Sequence, residues 1–261
     1  MLGKLLKYDL KRNMHWLWIL FVCTIAIAGI GRLCEELSQT VAFFKVLAIF
    51  FDSIFYAAVV NTILQPFLRN FLNFSKNLYG DESYLTHTLP VTKNQLINSK
   101  YLTATIEIVA GALCTIAAVL IKVASPTSLA VVEQMLMAIV PDGISAAVVI
   151  TLGATLIICE LLMFISIINF SIVLGYKSNE KKVLKSFIFA AIFSISASMV
   201  LGIAMFGILL VFGVDFASET LILSGNALIT LLITGIVVYL AIGILFYFLA
   251  KKQFNNGVNV D

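Results

Sequence analysis

The amino-acid sequence predicts an all-α integral membrane protein with about six transmembrane helices. Three observations predict it: few charged residues, six long apolar stretches, and Lys and Arg concentrated in alternate connecting segments. Of the 261 residues, 61% are hydrophobic and 12% are charged, and the mean hydropathy is +1.05. A soluble domain carries about 25% charged residues, so lipid must face much of this surface.

Six stretches are long and apolar enough to cross a bilayer. A helix needs about 20 mostly apolar residues to span the hydrocarbon core. The fourth and fifth stretches have about 30 residues, so we expect those helices to tilt or to protrude into water. The six stretches together predict one transmembrane domain over residues 1–261, with spans at 15–30, 41–64, 101–121, 144–174, 187–214 and 227–250.

The Lys and Arg residues predict the orientation of the chain. Of the 17, fourteen lie in four segments that alternate with the predicted outside loops, and two lie in those outside loops. Cytoplasmic loops carry the excess of Lys and Arg, so both termini are predicted to be cytoplasmic, N-in and C-in. The basic segments are 1–13, 65–100, 175–186 and 251–261.

Two further helices are predicted at the membrane surfaces. Leucines recur every four residues from Leu2 to Leu10, with lysines on the other faces. Residues 2–12 are therefore expected to form a short amphipathic helix lying on the inner leaflet. The alternative is a plain cytoplasmic extension of the first span. On the outside, residues 126–140 are predicted to form a helix on the outer leaflet.

Motifs of enzyme chemistry are absent from the sequence. It has no G-x-x-x-x-G-K-[ST] loop for ATP, no H-E-x-x-H zinc motif and no G-x-S-x-G nucleophile elbow. The two histidines, His15 and His87, are too few and too far apart for a metal site. We therefore predict that the chain is not an enzyme, binds no metal or cofactor itself, and does not bind nucleic acid.

Three acidic residues fall within predicted spans: Asp52, Glu107 and Glu160. A charge at mid-bilayer costs about 2.5–3.5 kcal/mol, so such residues tend to face the protein interior or a wet cavity. At about 1.5 Å per residue, all three are predicted in the inner half of the membrane. They are candidates for an acidic lining of a translocation path. The alternative is that they are protonated or hydrogen-bonded acids that fix helix packing.

The polar segment 65–100 contains the most distinctive sequence. Pro90 is expected to end one local structure, because the residue before a proline avoids the helical region. Thr92 then fits an N-cap, and the next helix is expected to run into the third span. Apolar side chains in a cytoplasmic segment indicate a partner that buries them. Those side chains are Tyr84, Leu85 and Leu89.

From Tyr79 to Lys100 the segment resembles the one that follows the second span in ABC-2-type permease subunits of bacterial ABC exporters. The opening residues 1–9 and the six-span plan are also similar to that family. The resemblance implies a subunit that docks two separate ATPase chains, which bind ATP and Mg²⁺, and that pairs with a second permease as a homo- or heterodimer. It implies that the ATPase-coupling residues are Tyr79, Gly80, Asp81, Glu82, Tyr84, Leu85, Leu89 and Pro90.

A row of small residues marks the fifth span. Ala190, Ser194, Ser198 and Gly202 recur every four residues and so share one stripe of the helix. Small residues let helix backbones approach closely in lipid. We predict that this stripe packs against another helix, either within the chain or at the interface of a permease dimer.

Sequence and resemblance together predict a multi-pass permease of the bacterial plasma membrane that exports a peptide or a hydrophobic or amphipathic compound. The substrate does not follow from the resemblance, because the substrates of the family vary. Two alternatives stay open. A secondary transporter or a stand-alone immunity protein would use the buried acids and need no ATPase, and a membrane scaffold would transport nothing.

Cysteine labelling tests the predicted orientation. In a variant that lacks the four native cysteines, a single cysteine at Ser38 or Glu219 should react with an impermeant maleimide added to intact cells. A cysteine at Glu180 should react only after the cells are opened, because the segment that holds it is predicted to be cytoplasmic. The reverse labelling pattern would overturn the orientation.

Overall fold

The computed structural model describes residues 2–80, 83–88, 90–124, 134, 144–178, 180–213 and 224–256. This part of the chain is all-helical, and six of its helices are long and apolar enough to cross a membrane. The prediction of an all-α, multi-pass membrane protein is thereby confirmed. In chain order the helices are α1 (Leu2–Ser38), α2 (Ala42–Tyr79), α3 (Ser83–Thr88), α4 (Lys93–Val123), α5 (Ala146–Gly175), α6 (Lys182–Val211) and α7 (Gly225–Asn255).

The first two helices extend far beyond their predicted spans. α1 has 37 residues and α2 has 38, so each is about 55 Å long, against a hydrocarbon core of about 30 Å. The polar segment 65–100 is consequently not an open loop. It comprises the last turns of α2, the short α3 and the first turns of α4, which begins at Lys93 just after Pro90, as the proline predicted.

The N-terminal residues do not form a separate interfacial helix. Residues 2–12 are helical, as predicted, but they are the first turns of α1, which continues without a break to Ser38. The structure therefore corrects the prediction of a short helix on the leaflet, and the alternative of an extended first span is observed. Asp9 is paired with Lys100 of α4, which holds the start of α1 beside that helix. The predicted helix at 126–140 lies outside the described residues, apart from residue 134.

The chain divides into two compact units. The first contains α1, α2 as far as Leu72, and α4 from Gln95 onward. The second contains the end of α2 from Asn73, α3, the start of α4, and the helices α5, α6 and α7. Helices α2 and α4 therefore contribute residues to both units.

Small and hydroxyl-bearing residues hold the first unit together. Ala28 of α1 and Ala118 of α4 are fully buried with Phe55 of α2 in one apolar cluster. The hydroxyls of Thr24 and Thr62 share a buried hydrogen bond of 2.8 Å between α1 and α2. In lipid, helices associate through close backbone approach and interhelical hydrogen bonds rather than through a hydrophobic drive, and both are present in this unit.

A proline and a glycine meet where α2 packs on α4. Pro66 has no amide hydrogen, so the carbonyl of Thr62, one turn earlier, lacks its usual helical donor. A Cβ on Gly111 of α4 would lie 3.3 Å from that carbonyl oxygen and 3.7 Å from Cγ of Pro66. A glycine at this position therefore lets the two helices approach closely where the α2 backbone is interrupted.

The second unit is built on α5, which packs most extensively on α7 and next on α6. Phe170 of α5, Phe193 of α6 and Phe246 of α7 all contact one another, with ring centroids 5.3, 5.3 and 5.4 Å apart. Gly175, the last residue of α5, lies directly against Ser186 near the start of α6. These contacts join the three helices at several depths.

The predicted stripe of small residues on α6 only partly coincides with the buried face of that helix. The buried face passes through Ala197, one residue away from the stripe, and Ala190 and Ser194 are half-buried at its edge. Ser198 and Gly202 are exposed, and no described atom lies within 4 Å of a Cβ placed on Gly202. Packing of these two residues within the described chain is therefore not observed, and packing at a dimer interface stays a prediction.

Substituting Gly175 tests the contact between α5 and α6. An alanine Cβ there would lie 2.7 Å from the backbone nitrogen and 2.8 Å from the Cα of Ser186, so Gly175→Ala should destabilise the fold by about 1–3 kcal/mol through overpacking. Thermal unfolding in detergent measures the effect. The matched control is Gly153→Ala in the same helix, where the added methyl group meets nothing within 4 Å. Equal unfolding temperatures for the two variants would contradict the contact.

Candidate functional site

α2 ends in a tight turn at Gly80. The amide of Gly80 donates to the carbonyls of Ser75 and Lys76, at 3.0 and 3.1 Å, and the amide of Ser83 donates to the carbonyl of Gly80 at 2.8 Å. A Cβ on Gly80 would lie 3.1 Å from the backbone of Lys76. A glycine therefore permits the tight end of α2, and α3 begins three residues later.

Tyr79 anchors the end of α2 inside the second unit. Its ring stacks on Tyr176, which follows α5, with centroids 4.7 Å apart and planes 26° apart. It meets Phe254 of α7 edge-on at 6.3 Å. The residue lies well beyond the predicted span 41–64, and burial raises the pKa of its hydroxyl above the usual value. Tyr79 is only 7% exposed and supports the segment instead of presenting a surface.

Tyr84 is the residue that the segment presents to the outside. It lies on α3 and is 76% exposed, whereas the preceding Ser83 is buried. Pro90 is also exposed. Asp81, Glu82 and Leu89 lie outside the described residues, as does the side chain of Leu85. Of the predicted coupling residues that the structure describes, Tyr84 and Pro90 are therefore accessible to a partner, and Tyr79 is not.

A second contact ties the far end of the segment to the same helix, α7. Asn255, the last residue of α7, donates to Asn94 in the first turn of α4 at 2.9 Å. Tyr176, Phe254 and Asn255 were not among the predicted site residues. Their one signal in the sequence is that they are aromatic or amide residues just beyond the ends of apolar stretches, and that pattern is common to membrane helices.

The three intramembrane acids have separate environments. Asp52 forms an ion pair with Lys122, next to the end of α4, and Lys122 also pairs with Glu35 of α1 at 2.9 Å. Gly31 leaves room for this pair, because a Cβ there would lie 3.3 Å from the Lys122 ammonium nitrogen. Asp52 therefore lies beside residues at the predicted outer ends of α1 and α4, whereas the residue count along α2 predicts the inner half of the membrane.

Glu107 lies in a buried polar cluster at a different level. It is fully buried, and its Oε1 accepts a hydrogen bond of 2.7 Å from Nδ2 of Asn13 in α1. Arg69 of α2 is close enough to attract it electrostatically. Oε2 of Glu107 and Nε of Arg69 are buried without a hydrogen-bond partner among the described atoms. Neither Asn13 nor Arg69 was predicted as a site residue.

One turn below, a second ionic group joins the same two helices. Asp9 of α1 accepts from the buried Lys100 of α4 at 2.7 Å and from Ser99 at 3.2 Å. Arg12, one turn further along α1, lies 3.8 Å from Asp9. The acidic side chains of this region are thus balanced by cations and an amide, and they present no row of unpaired carboxylates.

Within the first unit, Asp52 and Glu107 do not lie together. Glu107 and Lys122, the partner of Asp52, lie fifteen residues apart along α4, which is about 22 Å. Glu160 belongs to the second unit, where Tyr239 of α7 lies within hydrogen-bonding reach of it. Among the described residues, no group of three or more His, Cys, Asp or Glu side chains is placed to hold a metal ion.

Comparisons with protein-family models, with curated proteins and with solved structures find no match to this chain. Its own residues and their geometry are therefore the basis for any functional proposal.

A double-mutant cycle tests the buried pair of Asn13 and Glu107. Asn13→Leu leaves a buried carboxyl oxygen without its donor, so we expect it to destabilise the protein by about 1–3 kcal/mol. The double variant Asn13→Leu/Glu107→Leu should recover part of that loss, because replacing both partners by apolar groups removes the unpaired acceptor. Chemical unfolding in detergent measures both. If the losses in unfolding free energy of the two single variants add up to the loss of the double variant, the two side chains are not coupled.

Proposed function

We propose that the chain is the permease subunit of an ABC exporter, in the plasma membrane of a bacterium, that moves a peptide or a hydrophobic or amphipathic compound. The observation that carries the proposal is the short helix α3, which presents the exposed Tyr84 while the buried Tyr79 fixes its start to α5 and α7. A large exposed aromatic residue on a firmly held element is typical of a protein contact site.

The segment is suited to pass a push into the membrane. α3 connects directly to α2 and α4, which are continuous helices of 38 and 31 residues. A displacement of α3 would therefore move two helices that each extend through the predicted membrane. A partner can drive such a change only if it binds the two conformations with different free energies, and closure of ATPase chains on ATP would supply that difference.

The energy source in this proposal is another chain. The sequence has no loop of the kind that binds ATP phosphates, so ATP and Mg²⁺ would be bound by two separate ATPase subunits. A second permease subunit, identical or different, would complete the pathway. The exposed half of the small-residue stripe on α6, Ser198 and Gly202, is the surface that we assign to that dimer.

The intramembrane acids give no separate support to secondary transport. Asp52 is neutralised by Lys122, and Glu107 is held by Asn13 near Arg69. These contacts favour a role in helix packing over a role as a chain of proton or cation sites. The acids are therefore not assigned to the translocation path in this proposal.

A charge at Tyr84 tests the docking surface. Where a P-loop ATPase chain is encoded beside this one, Tyr84→Asp should abolish co-purification with it and the ATP hydrolysis of the assembled complex, because the variant places a carboxylate in an apolar contact. Loss of such an anchor costs about 2 kcal/mol or more, a factor of about 30 in affinity. Membrane insertion and yield should be unchanged, because the side chain is exposed.

The matched control for this test is Val183→Asp. Val183 is an exposed apolar residue in the first turn of α6, on the same predicted side of the membrane, and an acidic residue is well tolerated there. It should leave ATPase binding intact. Normal ATPase binding by Tyr84→Asp would show that α3 is not the docking site.

A further inference from the structure

One face of α1 changes from basic to apolar along its length. The side chains at positions 8, 11, 12, 15, 18, 19 and 22 follow the spacing of three and four residues that places them on one side of a helix. All seven are exposed. The first four are polar or basic and the last three are apolar, in the order Tyr8, Lys11, Arg12, His15, Trp18, Ile19 and Val22.

The basic half of this face forms an open cavity of about 530 Å³. Its described lining residues are Tyr8, Asp9, Lys11, Arg12 and His15. Asp9 pairs with Lys100 of α4 at 2.7 Å and lies 3.8 Å from Arg12. Three cations, Lys11, Arg12 and Lys100, therefore outnumber this one carboxylate, and the hydroxyl of Tyr8 adds a neutral donor. Such a set matches a singly charged phosphate.

The cavity lies at the depth of a phosphate layer. The predicted first span begins at residue 15, so Trp18 lies within one turn of its inner end. Trp18 is 60% exposed, and tryptophan is enriched at the boundary between lipid tails and headgroups. Arg12 and Lys11 lie six and seven residues before Trp18, about 9–10 Å along the helix, where headgroups lie.

We propose that this face of α1, the α1 lipid site, binds an anionic phospholipid of the leaflet that is predicted to face the cytoplasm. The phosphate lies between Lys11 and Arg12 and accepts from the hydroxyl of Tyr8. An acyl chain lies along Trp18, Ile19 and Val22. The site does not depend on the proposed permease function. It depends on α1 running through the membrane as a continuous helix, as the structure shows.

Tryptophan fluorescence reports on this site directly. The chain has two tryptophans, Trp16 and Trp18, so the variant Trp16→Phe leaves Trp18 as the only one. The purified full-length variant is reconstituted into phosphatidylcholine vesicles that contain a fixed share of brominated phosphatidylglycerol or of brominated phosphatidylcholine. Bromine quenches a nearby indole, so the ratio of quenching by the two lipids gives their relative affinity at Trp18. We expect stronger quenching by the anionic lipid.

Charge removal separates a site from general attraction to a negative surface. Lys11→Gln and Arg12→Gln should each lower the preference for the anionic lipid by about fivefold, the effect of one cation at a membrane surface. The matched control is Lys7→Gln, which removes the same charge from the same helix. Lys7 does not line the site's cavity but a neighbouring one, beside Gly3 and Leu6, which Lys11 also lines. It should lower the preference much less. All the variants should keep the unfolding temperature of their parent, since these side chains are exposed.

Three results would each overturn the proposal. The first is equal quenching by the two brominated lipids in the parent protein. The second is a loss in Lys7→Gln as large as that in Lys11→Gln, which would show diffuse surface attraction. The third is relief of the quenching by excess inorganic phosphate, which would show a site for free phosphate that is accessible from water.

Discussion

Helices inside a bilayer gain nothing from the hydrophobic effect when they meet, because lipid tails are as apolar as leucine side chains. Specific polar contacts and close backbone approach must therefore hold this chain together. In the first unit the hydroxyls of Thr24 and Thr62, the amide of Asn13 with Glu107, and Lys122 with two carboxylates join α1 to its neighbours. In the second unit, Gly175 lets α5 and α6 touch.

The same constraint decides where the intramembrane charges lie. A charge within the hydrocarbon region is tolerated when it is paired or turned toward the protein interior. Glu107 is fully buried beside an amide and near an arginine, and Asp52 meets a lysine from the end of another helix. These two carboxylates thus join helices. An exporter built on this chain would need other residues to select its substrate.

Contacts with other helices hold the polar segment 65–100 on both sides of α3. Tyr79 stacks on Tyr176 and meets Phe254 edge-on, and Asn94 accepts a hydrogen bond from Asn255. Between these two anchors, α3 holds Tyr84 in the open. In the proposed function, a loop without anchors would absorb a push, whereas a short helix between two anchored segments would pass it to α2 and α4. The first half of α1 has a separate exposed surface, on which the basic side chains of Lys11 and Arg12 are followed by Trp18.

Much of the fold was predictable from local sequence. The apolar stretches marked all six spans, and Pro90 marked the start of α4, because span length and proline stereochemistry act over neighbouring residues. The extension of α2 through Pro66 to Tyr79 was not predictable, because a proline and polar side chains ordinarily end a span, and here packing against Gly111 of α4 accompanies the interruption. The prediction that the small-residue stripe on α6 is buried was only partly correct. Small residues at a regular spacing permit contact, but the rotation of the helix against its neighbours decides that Ala197 is buried and Ser198 is exposed.

Local properties of the sequence are enough to show that the chain is a helical membrane protein with six spans and a distinctive segment between the second and third, because composition, apolar length and turn-forming residues involve neighbouring residues only. Which groups meet depends on how the helices pack: Asp52 with Lys122, Glu107 with Asn13, and Tyr79 with Tyr176. These partners are separated by many residues along the chain and lie on different helices. Nearly all faces of such helices are apolar, so no periodicity in the sequence shows which side of each one turns toward another.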